Sequence, residues 1–399
     1  MTQPAVLLTH PGTQYSHALA AQLHRQSMLY RFATGIAFGK RYSWLPKALQ
    51  SRLLPTVPDA LLHRQWRTEY HSLRQLRKGS DAENILHQRN QRFQEQLPDA
   101  LLQAADCIIG FDTSSWILAQ RAAKWRKPFV LDASIAHPRL KESIYTQLRE
   151  QYPQWQQQLI PKSEAFLQLE QTEMQHATHI VAATSFTKNS YIAQGIPADK
   201  ISINPYGVNL GYFHSKWDQP VAEKQKVIFA FLGSINARKG IPWLLKIWPA
   251  IHAQYPQAEL QLAGYGQWPA QLPLPKGVVL KGPIHPADRL AFLQQADVFV
   301  FPSFFEGFAQ TIIEAMACGL PVITTTHTVG PEVIENNQHG FVLTPGDDDA
   351  LTKAMIHFLE QPDTIRPMGE AARRQVLPYT WQAYGDRWAH IIHQLLQSS

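Results

Sequence analysis

Short apolar runs, scarcely interrupted by polar residues and ending at small or turn-forming ones, restrict the fold of this chain more than anything else in it. The second half holds six: KVIFAFLGS (226–234), AELQLAGYG (258–266), VVLKGPI (278–284), DVFVFPS (297–303), PVITT (321–325) and GFVLTP (340–345). A run with no polar alternation suits a strand covered by helices on both faces, the situation inside a parallel sheet. The first half holds AVLLTH (5–10), CIIGFD (107–112), PFVLDAS (128–134), HIVAATS (179–185) and KISINPYG (200–207), separated by amphipathic stretches such as the Gln- and Glu-rich 141–177. Strand and helix signals alternate throughout, so the expected class is parallel α/β.

With 399 residues there is chain enough for two domains. The polar, proline-containing SKWDQPVAEKQK (215–226) separates the two sets of strands. The expected architecture is two Rossmann-like domains, 1–207 and 226–380, facing each other across a cleft and joined by a linker over 208–225. The amphipathic WQAYGDRWAHIIHQLLQ (381–397) follows the second sheet, and helix 381–399 can pack on either domain, including back on the first. In such sheets ligands sit beyond the carboxyl ends of the strands, so the loops there carry the chemistry.

Composition excludes several classes. Apolar residues make up 45% of the chain, and no run approaches the ~18 consecutive apolar residues of a membrane span. The N-terminus MTQPAVLLTH has no basic region or cleavage site of a secretory signal. Cys107 and Cys318 stand far apart in apolar surroundings, which argues against a disulfide framework or a zinc site and for a cytoplasmic location. The net charge of +6 is uneven. From Lys40 to Lys78 the basic residues face only Asp59 and Glu69, with Tyr42, Trp44 and Trp66 interleaved. That mix suits peripheral contact with an anionic membrane, a groove for an acidic acceptor, or a solvated helical face over buried aromatics. No recognition motif accompanies it, so no nucleic acid is expected.

Of the strand-end loops, GSINARKGI combines Gly233, Arg238 and Lys239 with Gly240 opening a helix. Close backbone approach, two cations and a helix N-terminus make an anion site, most naturally for phosphate; the alternative is a basic helix start at the surface. In AGYGQWP, Gly264 and Gly266 form a GxG without a third glycine, and Trp268-Pro269 stands where a helix should begin. A tight turn beside a ligand is the expectation there, not a dinucleotide fingerprint. No Walker motif occurs.

FPSFFEGFAQTIIEAMACGLPV places Glu306 in a loop before a helix expected over about 309–318, and Glu314 inside that helix. Eight helical residues rise ~12 Å, too far for the ~5–9.5 Å carboxylate pair of glycosidases. The separation suits two hooks for the hydroxyls of one extended ligand, with the backbone N–H groups of Phe308, Ala309 and Gln310 facing an anion between them. In the first half, Gly12 and Thr13 follow the first strand and can bring backbone N–H groups close to a ligand, and His137 lies in the loop after 128–134; Asp112 reads as the cap region of the next helix, also on the cleft side, and His10 as a weaker candidate.

The second half resembles the donor domain of retaining glycosyltransferases of the GT-B fold, family 4 (group 1) type. The resemblance is carried by FLGSINARKGI, QLAGYGQ, VVLKGPI, ADVFVFPSFFEGFAQTIIEAMACGLPVITT, VGPEVIENNQHGFVLTPGD and YTWQAYGDRW, and more loosely by the segments 170–188 and 195–209. It implies a nucleotide-diphosphate sugar as co-substrate, with no other cofactor and no metal, and a glycan or lipid-linked acceptor. Glu306 would bind donor-sugar hydroxyls beside the amides of Phe308 to Gln310, and Glu314 the ribose. Arg238 and Lys239 would hold the diphosphate, and His137 would contact the sugar. The resemblance also implies retention at the anomeric carbon, by front-face displacement. The chain departs from the family pattern at Ser234, where many members carry arginine, at Ala309-Gln310 in place of Gly-Leu, and in HPGTQYS, which lacks a double glycine. The rival expectations are a non-catalytic nucleotide-sugar-binding protein and a nicotinamide oxidoreductase; the missing GxGxxG counts against the second.

Overall fold

The computed structural model describes residues 3–13, 15–42, 52–77, 81–218 and 226–397. Two parallel sheets organise them. The first contains β1 (Val6–His10), β2 (Leu29–Thr34), β3 (Leu62–Arg64), β4 (Cys107–Phe111), β5 (Phe129–Ala133), β6 (His179–Ala182) and β7 (Ile201–Ile203) in the order β3-β2-β1-β4-β5-β6-β7. The second contains β8 (Ile228–Leu232), β9 (Glu259–Ala263), β10 (Val278–Gly282), β11 (Val298–Phe301), β12 (Val322–Thr325) and β13 (Gly340–Leu343) in the order β10-β9-β8-β11-β12-β13. Every ladder is parallel, and β1, β4, β5, β8 and β11 are buried along their whole length, as continuous apolar runs require.

Two strands, β2 and β3, carry no clear signal in the sequence. LYRFAT is interrupted by Arg31 and is only partly buried, and LHR spans three residues at the sheet edge. The run 200–207 contributes only Ile201–Ile203 as strand. Beyond it Asn204 turns to hydrogen-bond the Tyr384 carbonyl at 3.2 Å.

The polar stretch read as a linker is packed where it is described. Lys216 is 7% exposed and pairs with Asp297 at 3.1 Å, and the Trp217 indole donates to the Gly319 carbonyl at 2.7 Å. Residues 219–225 lie outside the described residues. After the second sheet the chain returns to the first. Helix Trp381–Gln397 lies along helix Ser16–Arg25, where Asp386 pairs with Arg25. Tyr384 reaches Asp132 of β5, and Arg387 bonds Asn204 at 2.7 Å. The outgoing and returning passages touch. The Val208 amide donates to the Tyr379 carbonyl at 2.8 Å, and a Cβ on Gly207 would lie 2.2 Å from the Trp381 nitrogen.

One apolar cluster runs through both domains. Across their boundary Trp155 meets Trp268 edge-on at 5.8 Å, Phe186 stacks on His327 at 4.3 Å and Tyr206 meets Phe308 at 5.0 Å. Among the described residues no helix is long and apolar enough to cross a membrane. Within the basic segment, Lys47, Trp44 and Lys78 lie outside the described residues. Arg41 and Arg64 both pair with Asp59, and Arg52 pairs with Glu69. Part of that charge is therefore neutralised within the fold.

Candidate functional site

Each sheet reverses its strand order once, between β1 and β4 in the first and between β8 and β11 in the second. Ligands of open α/β sheets collect at such points. Here the two face each other, and a cleft of about 540 Å³ opens between them. Its first-domain wall is formed by Tyr15, Asp112 and Thr113, and Ser134 and Ile135. Its second-domain wall is formed by Gly233 and Ser234, Arg238 and Lys239, Arg289, and residues 306–311.

Glu306 is the electrostatic centre of the cleft. It is 6% exposed, and one oxygen, Oε1, receives Lys239 Nζ at 2.5 Å, Arg238 Nη1 at 3.0 Å and the Ser303 hydroxyl at 2.8 Å. Burial pushes its carboxyl upward, but Arg238 and Lys239 outweigh burial and hold it below the usual range. Burial brings Lys239 down to about 8, against the pull of Glu306, and its ammonium also lies 4.9 Å from the centre of the Phe301 ring. Two cations against one anion leave positive charge in the cleft, beside the N-terminus of helix Gln310–Ala317.

Glu314 lies one step deeper. It is 6% exposed, and among the described residues its Oε2 is buried with no hydrogen-bond partner and its ion pair is with Arg289 at 3.7 Å. Burial pushes its carboxyl up to about 7, with Arg289 opposing the shift. Arg289 itself lines the cleft and has an Nε with no partner. A buried acceptor left open beside a cleft is a place for a ligand hydroxyl.

Ala309 holds the turn between the glutamates in the left-handed region, at φ 70°. Glycine adopts that conformation freely, whereas a residue with a Cβ is strained there. Gln310 follows it, and its amide donates to the Gly207 carbonyl of the other domain at 2.7 Å while its Oε1 stays buried and unpartnered. At Gly307 the absence of a side chain is essential, since a Cβ would lie 1.8 Å from the Ser134 carbonyl oxygen. The Gly307 carbonyl accepts from the hydroxyls of Thr184 and Thr187 at 2.9 and 3.2 Å.

Other candidates fall elsewhere. His137 is buried and caps helix Pro138–Gln151 through Nδ1, which accepts from the Arg139 amide at 3.2 Å. Burial, with help from Arg139, lowers it to about 4, so the ring is neutral with Nδ1 as acceptor. Ser134 and Ile135 just before it form the cleft wall, and His137 does not. Gly12 and Thr13 also lie off the wall. The Gly12 amide donates to His10 Nδ1 at 3.0 Å and the Thr13 carbonyl accepts from Ser16, while Tyr15 two residues on faces the cleft. Gly233 lines the cleft, but Gly264 and Gly266 do not. A Cβ on Gly264 would lie 1.7 Å from the Gly233 oxygen, and one on Gly266 2.3 Å from the Ile235 oxygen. They let two strand-end loops pack together and border a separate pocket of about 190 Å³.

Sequence reasoning missed Tyr15, Ser134 and Arg289, and it read Asp112 as a helix cap on the cleft side. Asp112 accepts from the Ser134 hydroxyl at 2.8 Å, has a buried Oδ2 without a partner, and is pushed up to about 7 chiefly by burial. Tyr15 stacks on Tyr206 with ring centres 3.8 Å apart. Burial, then the charges of Glu306 and Glu314, drive its hydroxyl pKa upward, which keeps it a donor. Position after a strand end was the available signal for Asp112 and Ser134. Arg289 sits seven residues beyond β10 and had none.

Residues 226–361 match the family model described as glycosyl transferases group 1. The amylovoran biosynthesis glycosyltransferase AmsK of Erwinia amylovora is 27% identical over 205 residues, which are 47% of this chain and 49% of that protein. The GDP-mannose-dependent monoacylated alpha-(1-6)-phosphatidylinositol monomannoside mannosyltransferase of Corynebacterium glutamicum is 30% identical over 168 residues, 39% of this chain and 44% of that protein. The chain thus spans about half the length of these curated relatives. Among solved structures, Anabaena Alr3699/HepE in complex with UDP and glucose superposes with a TM-score of 0.65 at 15% identity, covering 98% of this chain and all of that one. The fold is GT-B, with two parallel α/β domains about a cleft.

Replacing Ala309 with glycine removes the left-handed strain, so A309G should raise stability by about 1 kcal/mol, read as a higher urea midpoint at unchanged slope. The buried carboxyls set a pH dependence. Glu314 titrates near 7 in the fold against a usual 4.5. Between those values the native state holds a proton that the unfolded chain has released, so stability falls as pH rises through the window. Urea unfolding at pH 5 and pH 8 should show that loss, and Glu314→Gln should remove on the order of 3 kcal/mol of it. An unchanged pH dependence in the variant would contradict the assignment.

Proposed function

We propose that this chain, whose second domain matches group 1 glycosyl transferases, is a retaining glycosyltransferase. It moves a hexose from a nucleotide-diphosphate sugar to a glycan or lipid-linked acceptor. The observation that carries the reading is the convergence of Arg238, Lys239 and Ser303 on Glu306 at the meeting of the two sheet reversals. Binding of UDP and glucose by HepE and the GDP-mannose dependence of the corynebacterial relative support a nucleotide-sugar donor here.

On this reading the diphosphate lies against Arg238 and Lys239, which stabilise the charge that develops as the anomeric C–O bond breaks. Arg289 adds a third cation on the same wall, which compensates for Ser234 where many relatives carry arginine. No metal is required for that role. Glu314, with its open Oε2 beside Arg289, accepts the ribose hydroxyls. Glu306 orients sugar hydroxyls and keeps the two cations in place. It is a poor general base, because its carboxyl is held low by those same cations. The acceptor oxygen then bonds to the anomeric carbon from the face the diphosphate leaves, and its proton passes to a departing phosphate oxygen. Tyr15, Asp112 and Ser134 face this reaction from the first domain and contact the acceptor.

Peripheral contact with an anionic membrane through 40–78 belongs to the same reading, for a lipid-linked acceptor. Trp66 and Tyr70 are 53% and 58% exposed on that segment. Co-sedimentation with phosphatidylserine-containing liposomes at low salt should exceed that with neutral liposomes, and equal recovery would remove this part.

A thermal-shift panel of nucleotide sugars identifies the donor, since binding to the native state raises apparent stability. With that donor, Glu306→Gln and Lys239→Ala should each lower transfer by about tenfold or more, the scale of one lost charged contact. Unchanged rates in both variants would refute the site assignment.

A further inference from the structure

A second pocket, of about 190 Å³, opens in the first domain between helices Ala82–Glu95, Trp116–Lys124 and Glu164–His176. It is smaller than the ~300–1,000 Å³ of sites for drug-sized ligands, which suits a single ring. Its wall is a stack of aromatic rings. Trp116 and His87 lie 4.8 Å apart and 3° from parallel, and Phe166 covers the His87 ring at 4.4 Å. Burial lowers the His87 pKa, so the stack is uncharged at neutral pH.

At the polar side stands Glu170, 6% exposed, with Oε1 paired to Lys162 and Oε2 buried without a partner among the described residues. Glu83 adds a second carboxylate to the lining; Lys162 lies in the lining and Lys141 acts on both carboxylates from outside it. With as many of these carboxylates as ammoniums, the pocket offers no net positive charge to an anionic ligand group. An open carboxylate oxygen invites hydroxyl donors, and aromatic walls favour the C–H face of a saturated ring.

The pocket and the main cleft share one lining residue, Thr113. Thr113 is held at φ 65°, a conformation unfavourable for a β-branched residue. Glu173 fixes it by accepting from its amide at 2.9 Å, and Asn90 by donating to its carbonyl at 2.8 Å. Asp112, with its unpartnered oxygen, precedes it on the cleft side.

We propose that this pocket is an acceptor subsite that takes an uncharged sugar ring, the residue next to the one whose hydroxyl reacts in the cleft. The inference rests on the glycosyltransferase reading and deepens it. The acceptor then carries at least two sugar units, the second neutral, and Thr113 marks the passage between them.

Saturation-transfer NMR on the full chain tests it, with methyl α-D-glucopyranoside, methyl α-D-galactopyranoside and methyl α-D-mannopyranoside as probes and decanoate as the apolar control. At least one glycoside should receive saturation from the wild-type protein. The signal should be lost in Phe166→Ala and in Glu170→Gln, the second of which keeps the pocket's shape should the first fail to fold. Absence of signal from all three glycosides, or a signal retained in Glu170→Gln, would overturn the proposal. So would transfer to decanoate alone that disappears in Phe166→Ala, which would assign the pocket to an acyl chain. Thermal shift with UDP and GDP in the same samples keeps the two readings apart: nucleotide binding without a pocket signal removes the subsite and leaves the donor site standing, and loss of both removes the glycosyltransferase reading.

Discussion

The absence of one side chain brings the two halves of this protein together. At Gly307 the second domain's backbone approaches Ser134 of the first so closely that a methyl group would clash with the Ser134 carbonyl oxygen. Hydroxyls of Thr184 and Thr187 then hold the Gly307 carbonyl. Glu306 is the preceding residue, so the contact that joins the domains also sets the height of the charged cluster in the cleft. Gln310 repeats the arrangement at the start of the next helix by reaching across to Gly207. Interdomain packing and site geometry are therefore one problem here, solved by the same loop.

The electrostatics follow from that placement. Three donors share one carboxylate oxygen, while Glu314 and Asp112 each keep a buried oxygen without a partner. Burying polar atoms without partners costs stability, and such atoms concentrate where a ligand supplies the missing half. At and behind the cleft wall the acidic groups thus differ: Glu306 is held low by its cations, and Glu314 and Asp112 are pushed up by burial.

Much of this was legible from residue order alone. A run such as DVFVFPS can be little other than a buried parallel strand, and the rule that ligands gather at strand ends singled out Arg238, Lys239 and Glu306 before any geometry was known. Edge elements were hidden, because Arg31 breaks the pattern of β2 and three residues are too few to show one in β3. Tyr15 and Arg289 reach the cleft from the first turns of helices Ser16–Arg25 and Arg289–Gln295, and which face of such a start meets the cleft depends on packing far away in sequence. His137 shows how one position serves two readings: lying beyond β5 it points to the cleft, and in the structure its Nδ1 caps the helix that follows. Gly264 and Gly266 were read as ligand contacts because glycine serves close approach to ligands and to backbone alike, and here the neighbour is the loop at Gly233.

The chain crosses between its domains twice, and the two crossings lie against each other at Val208 and Tyr379 and at Gly207 and Trp381. A single tether would leave the halves free to twist as well as to separate. Two adjacent passages of backbone instead fix the line along which the halves meet, so the register of Glu306 against Ser134 is a property of the chain's path.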